Sequence, residues 1–226
     1  MEPPENLVPK FFDGTADTYD KIVSWATFGK DTHWKNILLG HIQGGNIFLD
    51  LACGTGILTR KLAKKFPSSK IIGVDITSSY LEMAKRNSSS FQNITFVHQD
   101  AEKLNLDTKF DCIISSYIPK YCDPQALTRA CVEHLNPGGR IILHDFTYPQ
   151  NPLVRFLWKM HFVLLGLAGN FVPEWKEAFL ELPKLIRYTA WVASYEEEMK
   201  KSGLVVQRQH LTWHCSAVLV GIKNSI

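Results

Sequence analysis

A short apolar run, Ile47-Phe48-Leu49, leads into Asp50-Leu51-Ala52-Cys53-Gly54-Thr55-Gly56, and a helix-like segment from Ile57 to Phe66 follows at once. Two glycines one residue apart, between a strand and a helix, let backbone N–H groups approach an anionic or carboxylate-bearing ligand with no side chain in the way. The junction commits the chain to a strand–turn–helix unit and points to a nucleoside-like ligand. Spacing narrows the choice. A dinucleotide fingerprint calls for G-x-G-x-x-G/A, and here the third small position holds Thr59. A phosphate-cradling G-x-x-x-x-G-K-S/T loop is ruled out because Ile57 and Leu58 follow Gly56. NAD, FAD and nucleoside triphosphates are disfavoured.

A second apolar run, Ile71-Ile72-Gly73-Val74, ends in Asp75, 19 residues after Gly56. In a βαβ unit that spacing brings an acid to the tip of the neighbouring strand, where its carboxylate can accept hydrogen bonds from both ribose hydroxyls. A third run, Ile94 to Gln99, ends in Asp100-Ala101, placed to meet a base edge in the same sheet. Taken singly, each feature has a plain alternative. A Gly-x-Gly after a strand is often a tight turn, and a strand-end Asp is often a helix N-cap, here for the segment Ser78 to Arg86. In this order and at this spacing, turns and caps no longer account for all three.

The pattern along the chain alternates strand and helix, the signature of a parallel sheet covered on both faces. Strands are predicted at 46–51, 70–75, 94–98, 110–115 and 140–146, with helices near 57–66, 78–88 and 124–135. Asn136-Pro137-Gly138-Gly139 is expected to stop the last helix and turn the chain into the fifth strand. Segments 204–212 and 214–222 read as a C-terminal antiparallel hairpin at the sheet edge, and helices are expected around 13–29 and 31–42. With 226 residues and 45% hydrophobic content, one α/β domain is expected. It divides into an N-terminal helical cap (1–45), a ligand-binding core (46–146), a helical substrate-side insertion (147–203) and the hairpin (204–226). Since such cores bind ligand at the strand C-terminal ends, the cap and the insertion are the parts able to close over that face.

Charge and cysteine content exclude several classes. The net charge of +3 is spread out, with no basic run longer than Lys64-Lys65 or Lys200-Lys201, so no nucleic-acid partner is expected. The 5 cysteines lack C-x-x-C spacing, which argues against a disulfide framework or a zinc site. The start, Met1-Glu2-Pro3-Pro4-Glu5-Asn6, is acidic and proline-rich, unlike a signal or transit peptide, and a cytoplasmic location is expected. The most apolar stretch, Leu153 to Ala168, carries Arg155, Lys159 and His161 and is too short to span a bilayer.

These motifs resemble those of class I S-adenosylmethionine-dependent methyltransferases. That resemblance implies a Rossmann-like, doubly wound, mostly parallel seven-stranded sheet, with the glycine loop on the methionine end of the cofactor, Asp75 on the ribose and Asp100 on the adenine. A closer likeness runs through Phe12-Asp13-Gly14-Thr15-Ala16-Asp17-Thr18-Tyr19-Asp20, Phe28-Gly29 and Trp34-Lys35, and continues through residues 50–56, 73–85, 100–104, 110–116 and 135–146. It is similar to the ubiquinone/menaquinone biosynthesis C-methyltransferase family over about two-thirds of the chain. The resemblance implies S-adenosyl-L-methionine as cofactor, with contacts from Tyr19, Asp50, Ala52, Cys53, Gly54, Gly56, Asp75, Ile76, Asp100, Ala101 and Ser115. Asp145 stands where that family usually has a Glu. Where it usually carries an Arg-Asn pair after the fourth strand, this chain has Pro119 and Lys120.

Methyl transfer asks a protein mainly to align a nucleophile with the S–CH₃ bond and exclude water. For methylation of a hydroquinone carbon, a base or cation near the phenol would help. Asp145, Tyr117 and Lys120 are the expected catalytic candidates. His144 alternates with Asp145, so only one can face the pocket. The plain alternatives are a solvated loop cation for Lys120 and a packing ring for Tyr117. His210 and His214, read as strand residues, would lie about 13 Å apart at about 3.3 Å per residue, so no metal is expected.

Leu153, Phe156, Leu157, Met160, Val163, Leu164 and Leu167 follow helical spacing with one wide apolar stripe. Packing of that stripe onto the domain is the first expectation. The sharper one is that it joins Phe171, Trp175, Phe179 and Trp191 in lining a slot for an apolar tail, or touches a membrane surface from which a lipid substrate is drawn. The expected acceptor is a small, lipophilic molecule such as a prenylated quinol, with a smaller metabolite methylated on O, N or S, or non-methylating cofactor binding, as alternatives. A homodimer and peripheral membrane contact are compatible with the sequence.

Overall fold

The structure, a computed structural model, describes residues 11, 12 and 14–225. The acidic, proline-rich start lies outside the described residues. The strands are β1 (Ile47–Leu51), β2 (Lys70–Asp75), β3 (Ile94–His98), β4 (Phe110–Ser116), β5 (Leu135–Phe146), β6 (Val205–Leu211) and β7 (Ser216–Ile222). They form one sheet in the order β3-β2-β1-β4-β5-β7-β6. The first five are mutually parallel, while β7 runs antiparallel to both β5 and β6. The carboxyl ends of β1, β2, β4 and β5 therefore lie along one rim. The order reverses beside β1, the place where such sheets open a crevice for ligands.

The helices are α1 (Tyr19–Ala26), α2 (Lys30–Gly40), α3 (Ile57–Lys65), α4 (Ser78–Asn87), α5 (Pro124–Glu133), α6 (Pro152–Ala168), α7 (Pro173–Tyr188) and α8 (Trp191–Lys201). Alternation along β1 sends Leu49 and Leu51 to a core shared with Leu127 and Cys131 of α5 and Trp191, Tyr195 and Met199 of α8. Phe48 goes the other way, with Trp34, Leu38 and Leu39 of α2 and Leu58 and Leu62 of α3. A third apolar cluster joins Phe11, Tyr121, Leu165, Trp175, Phe179 and Leu185, and ties the N-terminal segment to the insertion.

Four expectations are corrected. The cap helices are shorter than predicted, because Phe28 and Gly29 take positive φ angles of 51° and 72° and break the helix between them. The fifth strand starts at Leu135 rather than at 140. Leu135 already pairs with Phe110, the register shifts between Phe110 and Cys112, and Gly138 at φ 75° absorbs the irregularity as a bulge inside the strand. The His210 and His214 rings stack 4.1 Å apart instead of standing at opposite ends of an extended run. Thr212, Trp213 and His214 all have positive φ (43°, 53° and 64°), so the hairpin turn curls His214 back over β6. Finally, the apolar stripe of α6 does not pack on the domain: Leu165 is the one buried residue of that helix.

Candidate active site

The glycine loop leaves β1 with Ala52 at φ 51°, Gly54 at 55° and Gly56 at 79°. At Gly54 space does not demand glycine, since an added Cβ would come no closer than 3.5 Å to the Tyr80 ring. The left-handed backbone does. Ala52 holds the same conformation at a steric cost, as does Tyr117 at φ 78°. Both line one narrow slot with Tyr19, Lys35, Asp50, Cys53, Gly54, Thr55, Ile57, Leu58 and Ser116, enclosing about 30 Å³.

Asp75 ends β2 beside this loop. Its carboxylate accepts from the Gly54 N–H at 2.8 Å and the Thr77 N–H at 2.9 Å. Burial pushes its pKa up, and these backbone donors oppose that shift. Ile76 next to it is 53% exposed, an apolar surface at the strand tip. Asp100 caps the short helical turn 101–103 through the Glu102 N–H at 3.0 Å, and Ala101 is buried beneath it. Asp50 is buried in mid-sheet, takes the Thr59 hydroxyl at 2.6 Å, and is pushed up to about 7 by burial. The Cys53 thiol is raised for the same reason and stays protonated. Ser115 turns away from the slot and donates to the Leu51 carbonyl, while its neighbour Ser116 lines the slot.

The three catalytic candidates are drawn into one buried polar chain. Lys120 is not a solvated loop cation: at 3% exposure it donates to Asp145 at 2.8 Å and to the Tyr117 carbonyl at 2.8 Å. Asp145 also accepts from the backbone N–H groups of Lys120 at 3.1 Å and Phe146 at 2.7 Å. Burial raises the Asp145 carboxyl and the ammonium beside it counters that. The Tyr117 hydroxyl donates to Asp31 at 2.8 Å, and Asp31 is ion-paired to Lys35. Burial and the Asp31 charge push the Tyr117 phenol well up, so it rests as a neutral phenol. His144, on the other face of β5, meets Ser116 at 2.8 Å and Ser216 at 2.7 Å, and burial lowers its pKa until it is neutral.

Asp31 and Lys35 were not among the predicted site residues. An Asp and a Lys four apart on a short helix read as a surface pair, and Trp34-Lys35 in the family-like segment was the one signal. The cap clamps the loop by further contacts: Asp20 accepts from Thr55 at 2.5 Å, Thr15 and Tyr80 share a hydrogen bond of 2.7 Å, and the Tyr19 and Tyr80 rings meet at 5.2 Å. Trp175, Phe179 and Trp191, expected beside an apolar tail, are buried in the packing, whereas Phe171 is 88% exposed. A second groove, about 660 Å³, opens between the segment after β5 and the β6–β7 turn, with Arg187, Arg208, His210 and His214 among its walls.

A Rossmann-like sheet with a left-handed glycine loop, an acid at the next strand tip and a charged slot between them defines an S-adenosylmethionine-dependent methyltransferase, and comparison with known proteins agrees. Residues 1–223 match the ubiE/COQ5 methyltransferase family, and the chain belongs to it. The chain is 30% identical over 229 residues to the ubiquinone/menaquinone biosynthesis C-methyltransferase UbiE of Hahella chejuensis, covering 97% of this chain and 92% of that one. The Pseudomonas putida protein of the same name is 29% identical over 96% of this chain and 88% of its own. Among solved structures, the Haemonchus contortus phosphoethanolamine N-methyltransferase 2 in complex with S-adenosyl-L-methionine superposes with a TM-score of 0.69 at 16% identity, over 99% of this chain and 60% of that one. That likeness carries the fold.

Proposed function

We propose that this methyltransferase methylates a ring carbon of a lipophilic aromatic acceptor of the prenylated-quinol class. The observation that carries this reading is the near full-length match to relatives named for ubiquinone and menaquinone C-methylation.

The residues present fit the cofactor. The glycine loop offers backbone N–H groups and Lys35 a cation for the carboxylate end, with Tyr19 closing the slot and Asp50, Ala52 and Cys53 shaping its floor. Asp75 would exchange its Gly54 contact for the ribose hydroxyls, and Ile76, Asp100 and Ala101 flank the adenine position. When bound, the cofactor supplies a methyl group on a sulfonium and is released as a thioether, taking up the S–C bonding pair.

The chain's own task is to hold the acceptor ring in line and accept its proton. Tyr117, stacked on Phe146 with ring centroids 5.0 Å apart, presents its hydroxyl between the slot and Asp31. A phenolic proton from the acceptor passes to the Tyr117 oxygen as the Tyr117 proton passes to the Asp31 carboxylate. Electron density then rises on the ring carbon, which forms the new C–C bond. That carbon then releases its hydrogen as a proton to water as the ring regains aromaticity, and Asp31 returns the first proton through Tyr117 to the phenoxide oxygen. Lys120 and Asp145 position this relay: Lys120 donates to the Tyr117 carbonyl, and Asp145 holds Lys120 by its ammonium and its backbone N–H.

Incubation of the enzyme and methyl-labelled cofactor with a lipid extract tests the reading. Label is expected in an organic-soluble aromatic product, on carbon. Label confined to water-soluble products overturns it, and the basic walls of the second groove then favour a smaller anionic acceptor.

A further inference from the structure

Helix α6 runs 17 residues and buries Leu165 alone. Leu153, Phe156, Leu157, Val163, Leu164 and Leu167 are each 53–67% exposed and fall on one side of it. The apolar surface extends beyond the helix. Phe28, 78% exposed, has its ring 5.0 Å from that of His161, and Phe171 follows directly after the helix end. A contiguous patch of large side chains on this scale marks an interaction surface.

We propose that this face of α6 docks the protein on an anionic lipid bilayer. Charge selects that occupant. The helix carries Arg155 and Lys159 and no acid. Lys159 is exposed beside Phe156 and Val163, with no carboxylate partner among the described residues, and Arg155 spends its guanidinium on the Pro149 and Gln150 carbonyls at 3.1 and 3.0 Å. A second copy docked by two-fold symmetry would set this basic margin against itself with no acid on α6 to neutralise it. A negatively charged headgroup layer meets the margin while the stripe sinks toward the acyl boundary.

The helix lies on the bilayer and does not cross it: no helix among the described residues is long and apolar enough to span a membrane. Its place in the chain gives the docking a use. It starts six residues after Phe146, the strand-end ring that stacks on Tyr117. A docked α6 thus sets the rim of the slot against the membrane. That use rests on the lipophilic-acceptor reading; the docking itself does not.

The test is co-sedimentation of the full chain with phosphatidylcholine vesicles, with and without about a third phosphatidylglycerol. The chain is expected to bind the anionic vesicles and to be released by salt. The double variant Phe156→Glu/Leu164→Glu should lower partitioning by at least about tenfold, since two exposed anchors lose their burial. Lys159→Glu should lower it by about fivefold or more through charge alone. Cofactor affinity by calorimetry should be unchanged in both, because neither touches the slot. Failure to bind anionic vesicles, or equal binding by the double variant, overturns the docking. So does a solution mass twice that of one chain which falls to one chain in the double variant, because a second copy then covers the face. Vesicle binding without methylation of a bilayer-embedded quinol overturns the acceptor reading and leaves the docking standing.

Discussion

Asp50 faces α3 from near the end of β1, with the Thr59 hydroxyl as its hydrogen-bond partner and the Lys35 charge acting on it. Burial raises its pKa to about 7 in the folded chain, against about 4 when unfolded. The sign follows from linkage: the folded state holds the proton more tightly, so the contribution of Asp50 to stability is fully present below pH about 4 and is lost as pH rises through about 7, by at most roughly 4 kcal/mol. Asp50→Asn should flatten that part of the stability–pH curve measured by denaturant unfolding. An unchanged slope would place the titration elsewhere. Lys120 behaves differently, because its charge is matched. Lys120→Met leaves the Asp145 carboxylate buried without its cation and should cost about 3–5 kcal/mol. Lys120→Met/Asp145→Leu should recover much of that, and a double variant as unstable as the single one would refute the pairing. Lys120 also shows where sequence reading stopped. A Lys one residue after Pro119 has the look of a loop cation, and only the fold brings β5 close enough to bury it.

The elements that were legible are those whose pattern is local. The central parallel strands β1 and β2 read as short, mostly apolar runs closed by turn residues, because both faces of the sheet are covered there. The edge hairpin was legible from two short runs joined tightly, although β6 is mostly exposed and carries Gln207, Arg208, Gln209 and His210. The boundaries that moved are those set by tertiary contacts: β5 gains its first residues by pairing Leu135 with Phe110, through a segment rich in helix-stop signals. The α6 stripe illustrates the opposite failure, since periodicity locates a helix and its apolar face without saying what that face meets. Gly73 in β2 offers a test of the strand layer under the loop. An added Cβ would come within 2.7 Å of Phe96 Cδ1 and 3.1 Å of Cys53 Sγ, with no unusual backbone angle involved. Gly73→Ala should therefore cost about 1–3 kcal/mol in denaturant unfolding by overpacking β3 against the loop. Gly73→Ala/Phe96→Leu should regain part of it; equal loss in both would point to the backbone instead of the ring.

Across the whole molecule, the cofactor region joins parts far apart in the chain. Trp34 donates to Thr212 at 2.8 Å and Trp175 donates to Thr18 at 2.8 Å, so cap, hairpin and insertion are fastened to each other around the loop. A ligand held by that loop acts on the stability of the assembled fold. At a concentration about a hundred times its dissociation constant, a ligand that binds only the folded state adds about 2.7 kcal/mol, which for a chain of this size raises Tm by about 5–10 °C. Asp75 is the residue on which this increment turns, yet it also accepts the Gly54 and Thr77 N–H groups in the protein alone. Asp75→Ala should accordingly lower Tm without ligand, so the quantity that decides is the cofactor-induced increment and not Tm itself. Asp75→Asn supplies the needed contrast: it keeps the side-chain volume and one acceptor oxygen, but it loses an acceptor for the ribose hydroxyls. Both variants are expected to lose most of the increment in a thermal melt, with Asp75→Asn starting from the higher baseline. An increment in Asp75→Ala equal to that of the unaltered chain would remove this residue from the binding site, whatever its effect on the fold.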